Sequence, residues 1–194
     1  MVAPRAVVAD DETWSTNAAR HFPHLRVREL AKGTTKDKAA ALERMGDGIA
    51  VVTWDSVWRE PLATAVRKHG FDLVIADEIH MMKSPSGKRA KFMMALAKQP
   101  GLRRLGLSGT PVGQSPLDVW SPYQFLVPGG GLLPPTFSQF RMRYTRPALY
   151  SEYRDRDVII TSGRGGELQR WKLRDLDELH ERLYRVASRL RTED

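Results

Sequence analysis

The sequence predicts an α/β fold, a parallel sheet covered by helices, and three observations predict it. Short apolar runs alternate with helical patterns through the first two-thirds of the 194 residues, as they do where crossover helices join parallel strands. One run, Leu73-Val74-Ile75-Ala76, ends in Asp77-Glu78-Ile79-His80. The next ends in Leu107-Ser108-Gly109-Thr110-Pro111, and polar residues at the carboxyl ends of such strands sit where ligands bind.

The strand candidates are short: the opening Val2-Ala3-Pro4, whose beginning reads as cut away, then 49–53, 73–76 and 105–107. Between them, a helix over 11–21 carries Trp14, Ala18 and Phe22 on one face. Helices over 35–45 and 61–69 are stopped by Gly46 and Gly70. A helix over 86–98 buries Ala90, Met93, Met94 and Ala97. Ser115-Pro116-Leu117-Asp118 offers an N-cap, a first-turn proline and an acid three residues after the cap, so a further helix runs from there to about residue 126. A Gly/Pro-rich loop follows over 128–135. Residues 158–161 and 168–173 then form a hairpin around Ser162-Gly163-Arg164-Gly165-Gly166. Leu176, Leu179, Leu183, Val186 and Leu190 recur at helical spacing over 175–191 and make one apolar stripe.

With 41% hydrophobic and 28% charged residues the chain is globular, and 31 Lys and Arg against 23 Asp and Glu give a net charge of +8 that favours polyanionic partners. The absence of cysteine excludes disulfides, a thiol nucleophile and a cysteine zinc site, and fits a reducing compartment. No apolar stretch approaches membrane-spanning length and Met1-Val2-Ala3-Pro4 opens no secretory signal, so the expected location is cytoplasmic, with no membrane partner.

Two adjacent acids after a buried strand suit a nucleotide site, the first holding hydrated Mg²⁺ and the second accepting a proton from an attacking water. Taken alone, Asp77-Glu78 is equally the start of a loop, His80 an ordinary satisfied histidine, and the Ser-Gly-Thr-Pro turn mere punctuation. Their order and separation make the set more specific. Between 81 and 117 the chain holds Lys83, Lys88, Arg89, Lys91, Lys98, Arg103 and Arg104 and no acid. That stretch is either a solvated basic face or a sequence-independent contact for a nucleic-acid backbone. Trp54 and Trp58 offer stacking faces, although aromatics beside a strand are more often core.

On these residues the chain resembles superfamily 2 helicases, and within them the Swi/Snf-type DNA translocases, especially compact bacterial and phage versions. Val2-Ala3-Pro4-Arg5 is similar to motif Ia, Val51-Val52-Thr53-Trp54 to motif Ib, Asp77-Glu78-Ile79-His80 to motif II and Leu107-Ser108-Gly109-Thr110-Pro111 to motif III. Lys83-Ser84 with Lys88-Arg89 resembles the basic segment after motif II, and Leu117-Asp118-Val119-Trp120 the helix after motif III. The resemblance implies that Asp77 organises Mg²⁺, that Glu78 activates water on ATP, and that His80, Ser108 and Thr110 couple nucleotide state to DNA grip. It places Pro4, Arg5, Thr53, Trp54, Lys83, Lys88 and Arg89 against DNA. Ile79 stands where the family most often has Ala, and Val112-Gly113-Gln114 replaces its usual polar turn.

One expected part is not in the sequence. Nowhere among the 194 residues is there a G-x-x-x-x-G-K-S/T phosphate loop, and Gly87-Lys88-Arg89 is no substitute, since no hydroxyl residue follows Lys88. The fold expected is therefore a RecA-like parallel sheet with flanking helices, lacking its first strand and phosphate loop, with a hairpin and helix at the C-terminal end. Residues 1–145 form the partial ATP-binding lobe and 146–194 complete it. The function expected is a portion of a DNA-dependent ATPase whose motif I and second lobe come from another polypeptide, in the host cytoplasm if phage-encoded. The isolated chain is then inactive. The alternative is a non-catalytic remnant or nucleic-acid-binding module of the same fold.

Overall fold

The structure, a computed structural model, describes residues 1–5, 14–109, 115–162 and 168–188. Among these, five strands form one parallel sheet: β1 (Val2–Ala3), β2 (Val27–Leu30), β3 (Ile49–Thr53), β4 (Leu73–Ala76) and β5 (Arg103–Gly106), in the spatial order β2-β3-β1-β4-β5. β3 is apolar and buried almost throughout because helices cover both of its faces. The two edges obey different rules. β2, Val-Arg-Glu-Leu, buries only Leu30, and its pattern therefore gives no apolar run to mark it in the sequence. β5 begins at Arg103, two residues before the expected 105–107, because an edge strand tolerates charge and Arg104 Nη1 finds the Ala97 carbonyl at 2.7 Å.

The helices follow their caps. α1 (Trp14–His21) buries Ala18 but leaves Phe22, expected on the same apolar face, 55% exposed one residue past its end. Residues 11–13 of that expected helix lie outside the described residues. α2 (Thr35–Glu43) starts at Thr34, whose hydroxyl accepts from Asp37 N at 3.2 Å while its own N–H donates to Asp37 Oδ2 at 2.9 Å. α3 (Leu62–His69) ends on Gly70 at φ 75°, a left-handed position that glycine adopts without strain. α4 (Lys88–Leu96) buries Ala90 and Met93, while Met94 is only partly buried and packs against both main apolar clusters.

The helix expected from residue 115 divides in two, a 3-10 turn (Pro116–Val119) and α5 (Trp120–Leu126). Its cap forms as the sequence indicates, Ser115 Oγ accepting from Leu117 N at 3.1 Å. α6 (Phe137–Tyr144) was hidden by the Gly/Pro-rich loop before it, although Thr136 caps it through Gln139 N at 3.3 Å. A second sheet, antiparallel and ordered β6-β8-β7, joins β6 (Thr145–Pro147), β7 (Val158–Ser162) and β8 (Leu168–Leu173). The predicted hairpin is thus present, its tip at 163–167 outside the described residues, with β6 as an additional strand. α7 (Leu176–Tyr184) buries Leu179 and Leu183, whereas Leu176 and Val186 of the expected stripe are exposed and Leu190 lies outside the described residues.

One core cluster unites the parallel sheet with α2, α3 and α4 through Leu42, Val52, Trp54, Leu62, Met93 and Leu96. A second joins Trp120, Tyr123, Leu133, Phe140 and Tyr144 to Leu179 and Leu183 of α7. β4 and β5, at the border of these clusters, deliver Asp77 and Ser108 to the same edge of the sheet.

Candidate active site and nucleic-acid interface

Asp77 is fixed through its backbone by three strands. Its N–H donates to Val2 O at 2.8 Å, and its carbonyl accepts the indole N–H of Trp54, which leaves the end of β3, at 2.8 Å. Its side chain, half-buried, has its pKa raised, first by burial and then by the charge of Glu78. Glu78 follows in the left-handed region at φ 49° and ψ 55°, a conformation that costs a non-glycine residue on the order of 1 kcal/mol. That turn starts a 3-10 turn (Ile79–Met82) and brings the Glu78 carboxylate to His80 and Ser108.

The three side chains form a closed triangle. Glu78 Oε2 lies 3.1 Å from His80 Nδ1 and accepts from Ser108 Oγ at 3.3 Å, while His80 Nδ1 and Ser108 Oγ are 3.2 Å apart. A proton on Nδ1 lets His80 donate to the carboxylate, leaving Glu78 with two donors and a fixed direction. The backbone carries the same link: Ile79 N donates to Leu107 O and Leu107 N to Ala76 O, both at 2.9 Å. The loop after β4 and the loop after β5 are therefore one hydrogen-bonded unit. Thr110, expected beside Ser108, lies outside the described residues.

Gly106 makes this unit possible. A Cβ at Gly106 would stand 2.6 Å from Ile79 Cδ1 and 3.4 Å from Leu126 Cδ2. Ile79, larger than the Ala expected there, fills the space that a glycine leaves, and it is buried. Sequence reasoning passed over Gly106 because a close approach between two loops has no local signal.

Among the described residues no group of three or more His, Cys, Asp or Glu could hold a metal ion. Two adjacent carboxylates, one with its pKa raised by burial and by its neighbour's charge, nonetheless fit Mg²⁺. That ion takes one or two carboxylates and completes its shell with waters and substrate phosphates.

The residues expected against DNA divide. Pro4 is half-buried and Arg5 exposed directly after β1. Thr53 and Trp54 are not available: Thr53 is 4% and Trp54 1% exposed. The Thr53 hydroxyl is spent on Ser56 Oγ at 2.9 Å, and the Trp54 indole on Asp77. Both therefore act as internal struts, correcting the expectation that they touch nucleic acid. Lys83 Nζ stands 3.9 Å from Asp118 Oδ2, Lys88 Nζ lies 5.0 Å from the centre of the Trp58 ring, and Arg89 pairs with Asp55. Lys88 and Arg89 line a cavity of about 270 Å³ with Trp58, Met81 and Ser84. Arg103 and Arg104 open β5 at the other end from Ser108, so the acid-free segment is not one continuous surface.

The SNF2-related domain matches residues 1–190. The chain belongs to the SNF2-related domain family. Its relatives include the mouse DNA excision repair protein ERCC-6-like, 28% identical over 148 residues that make up 74% of this chain and 12% of that protein. The TATA-binding protein-associated factor MOT1 of Saccharomyces cerevisiae is 29% identical over 134 residues, 69% of this chain and 7% of that protein. The SNF2-related chain thus spans 12% and 7% of the length of these two relatives. In structure it is similar to the Sulfolobus solfataricus SWI2/SNF2 ATPase core in complex with dsDNA, with a TM-score of 0.57 at 24% identity over 74% of this chain and 27% of that one. The parallel sheet with flanking helices and the antiparallel hairpin share that RecA-like fold. Among the described residues no helix of this SNF2-related chain is long and apolar enough to cross a membrane.

Proposed function

We propose that this chain supplies the magnesium-holding and water-activating side of a DNA-dependent ATPase of Swi/Snf type, with residues 1–145 as its partial ATP-binding lobe and 146–194 completing it. The observation that carries this reading is the Glu78–His80–Ser108 triangle, set beside Asp77 at the carboxyl edge of a parallel sheet. In this reading Asp77 holds the hydrated ion and Glu78 takes the proton of the attacking water. Magnesium bound with ATP supplies positive charge against the charge that develops on the phosphates. His80 and Ser108 tie the direction of Glu78 to the loop after β5, so that movement of either loop re-aims the carboxylate, and Thr110 joins them in coupling nucleotide state to DNA grip. The grip on the ATP phosphates and the second lobe come from outside these 194 residues, whose sequence has no phosphate loop.

Pro4, Arg5, Lys83, Lys88 and Arg89 contact the DNA backbone in this account, without reading sequence. Binding of the 194-residue chain to duplex DNA is accordingly weak, insensitive to sequence and steeply weakened by salt. Replacing Lys83, Lys88 and Arg89 together with Ala flattens the dependence of log affinity on log salt by about 1 to 3 units, according to how many touch phosphate. Titrations at several salt concentrations measure this. An unchanged slope with unchanged affinity would make the segment a solvated basic face.

A further inference from the structure

The small antiparallel sheet carries a surface that the ATPase reading does not use. The register pairs Val158 with Lys172 and Ile160 with Arg170, so these residues share one face. Ile159 and Trp171 occupy the opposite face, where Ile159 packs on the second core cluster and Arg141 lies over the Trp171 ring. Over the outward face folds a 3-10 turn (Tyr150–Glu152). Glu152 clamps it: its carboxylate accepts from Arg146 Nη1 and from Leu149 N, both at 2.8 Å, and lies 3.2 Å from Lys172 Nζ. Arg146 first, then the Leu149 N–H, hold the Glu152 carboxyl down at about 2.

The clamped turn presents aromatic faces to solvent. Tyr150 is 87% exposed, and its ring lies 5.3 Å from that of Tyr153, which in turn carries the Arg170 guanidinium at 4.6 Å. The three local acids, Glu152, Asp155 and Asp157, all face Lys172, at 3.2, 2.9 and 3.8 Å, and Glu152 also holds Arg146. Arg154 and Arg156, both exposed, form no ion pair among the described residues. An exposed flat ring on the same turn as two arginines that form no ion pair, next to a ring that carries Arg170, matches a ligand that offers both a π-face and a phosphate. Bases in a duplex are stacked on one another and offer their faces only at ends.

The geometry points to Tyr150, Tyr153, Arg154, Arg156 and Arg170 as a platform for single-stranded DNA, one base stacking on Tyr150 and the flanking phosphates meeting the arginines. Only the choice of DNA over RNA rests on the ATPase reading. The surface needs neither nucleotide nor the edge that bears Asp77.

Fluorescence anisotropy on the 194-residue chain tests this, with oligo(dT) and oligo(U) of about 20 nucleotides and a duplex of the same length. Tyr150→Ala is expected to weaken oligo(dT) binding about ten-fold, whereas Tyr150→Phe, which keeps the ring, stays within about two-fold of the natural chain. Arg154→Ala with Arg156→Ala is expected to weaken oligo(dT) binding and flatten its salt dependence. Duplex affinity is unchanged by Tyr150→Ala. The same comparison made in the Lys83, Lys88 and Arg89 triple variant retains the Tyr150 effect, which separates this platform from the duplex contacts proposed above. No oligo(dT) binding, oligo(dT) binding indifferent to Tyr150→Ala, equal losses on duplex, or tighter binding of oligo(U) would each overturn the assignment.

Discussion

Glu78→Gln is expected to lower DNA-stimulated ATP turnover on the order of hundreds-fold in a completed motor, that is, this chain together with polypeptides carrying the phosphate loop and the second lobe. The amide preserves the size of the side chain and still accepts from His80 Nδ1 and Ser108 Oγ, which now stand 3.1 Å and 3.3 Å from Oε2. What it loses is the capacity to take a proton from water. The signature is a fall in kcat with little change in KM, because the lost interaction belongs to the transition state. Asp77→Asn should fall similarly, with a higher Mg²⁺ concentration needed for half-maximal turnover, since the half-buried carboxylate gives up its charge. An active mixture indifferent to both substitutions would remove these two acids from the chemistry.

Trp54→Ala should cost about 3–5 kcal/mol of folding stability, the usual range for emptying a fully buried aromatic site. The indole is 1% exposed and belongs to the main core cluster. For a domain of this size each kcal/mol lowers Tm by about 2–4 °C, so the midpoint should drop on the order of 10 °C. Trp54→Phe separates packing from hydrogen bonding. It keeps most of the ring but deprives the Asp77 carbonyl of its 2.8 Å donor, at a cost of about 1–3 kcal/mol. Thermal and urea unfolding measure both, and a loss below about 1 kcal/mol for Trp54→Ala would show that the β3 end is not a strut for the Asp77 turn.

What was legible in the sequence was whatever is written locally. β3 and β4 are central strands, β3 buried on nearly every residue and β4 through Val74 and Ala76, and both read as apolar runs whose boundaries the structure reproduces. Ser115 and Asp118 announce a helix start because a cap is a contact between near neighbours. The edges were harder. β2 holds Arg28 and Glu29 and buries one residue, so nothing in its composition separates it from a loop. α6 stands directly behind Pro134-Pro135 and was absorbed into the turn signals before it.

Orientation and close approach were the least visible. A strand-end motif locates Thr53 and Trp54 without saying that both turn inward, one to Ser56 and the other to Asp77. The run of basic residues from Lys83 to Arg104 looks continuous, yet its members stand at different ends of the sheet, because α4 intervenes and β5 starts at the far edge. Gly106 is legible only once Ile79 is seen above it.

The central claim is that these residues carry the acids of an ATPase while the phosphate grip lies elsewhere. Steady-state ATP hydrolysis by the purified 194-residue chain, with Mg²⁺ and with or without duplex DNA, tests it most directly beside the Glu78→Gln variant. The account predicts equal rates for the two proteins and no stimulation by DNA, since positioned cations around the phosphates are indispensable to phosphoryl transfer. DNA-stimulated turnover by the natural chain that disappears in the Glu78→Gln protein would contradict it.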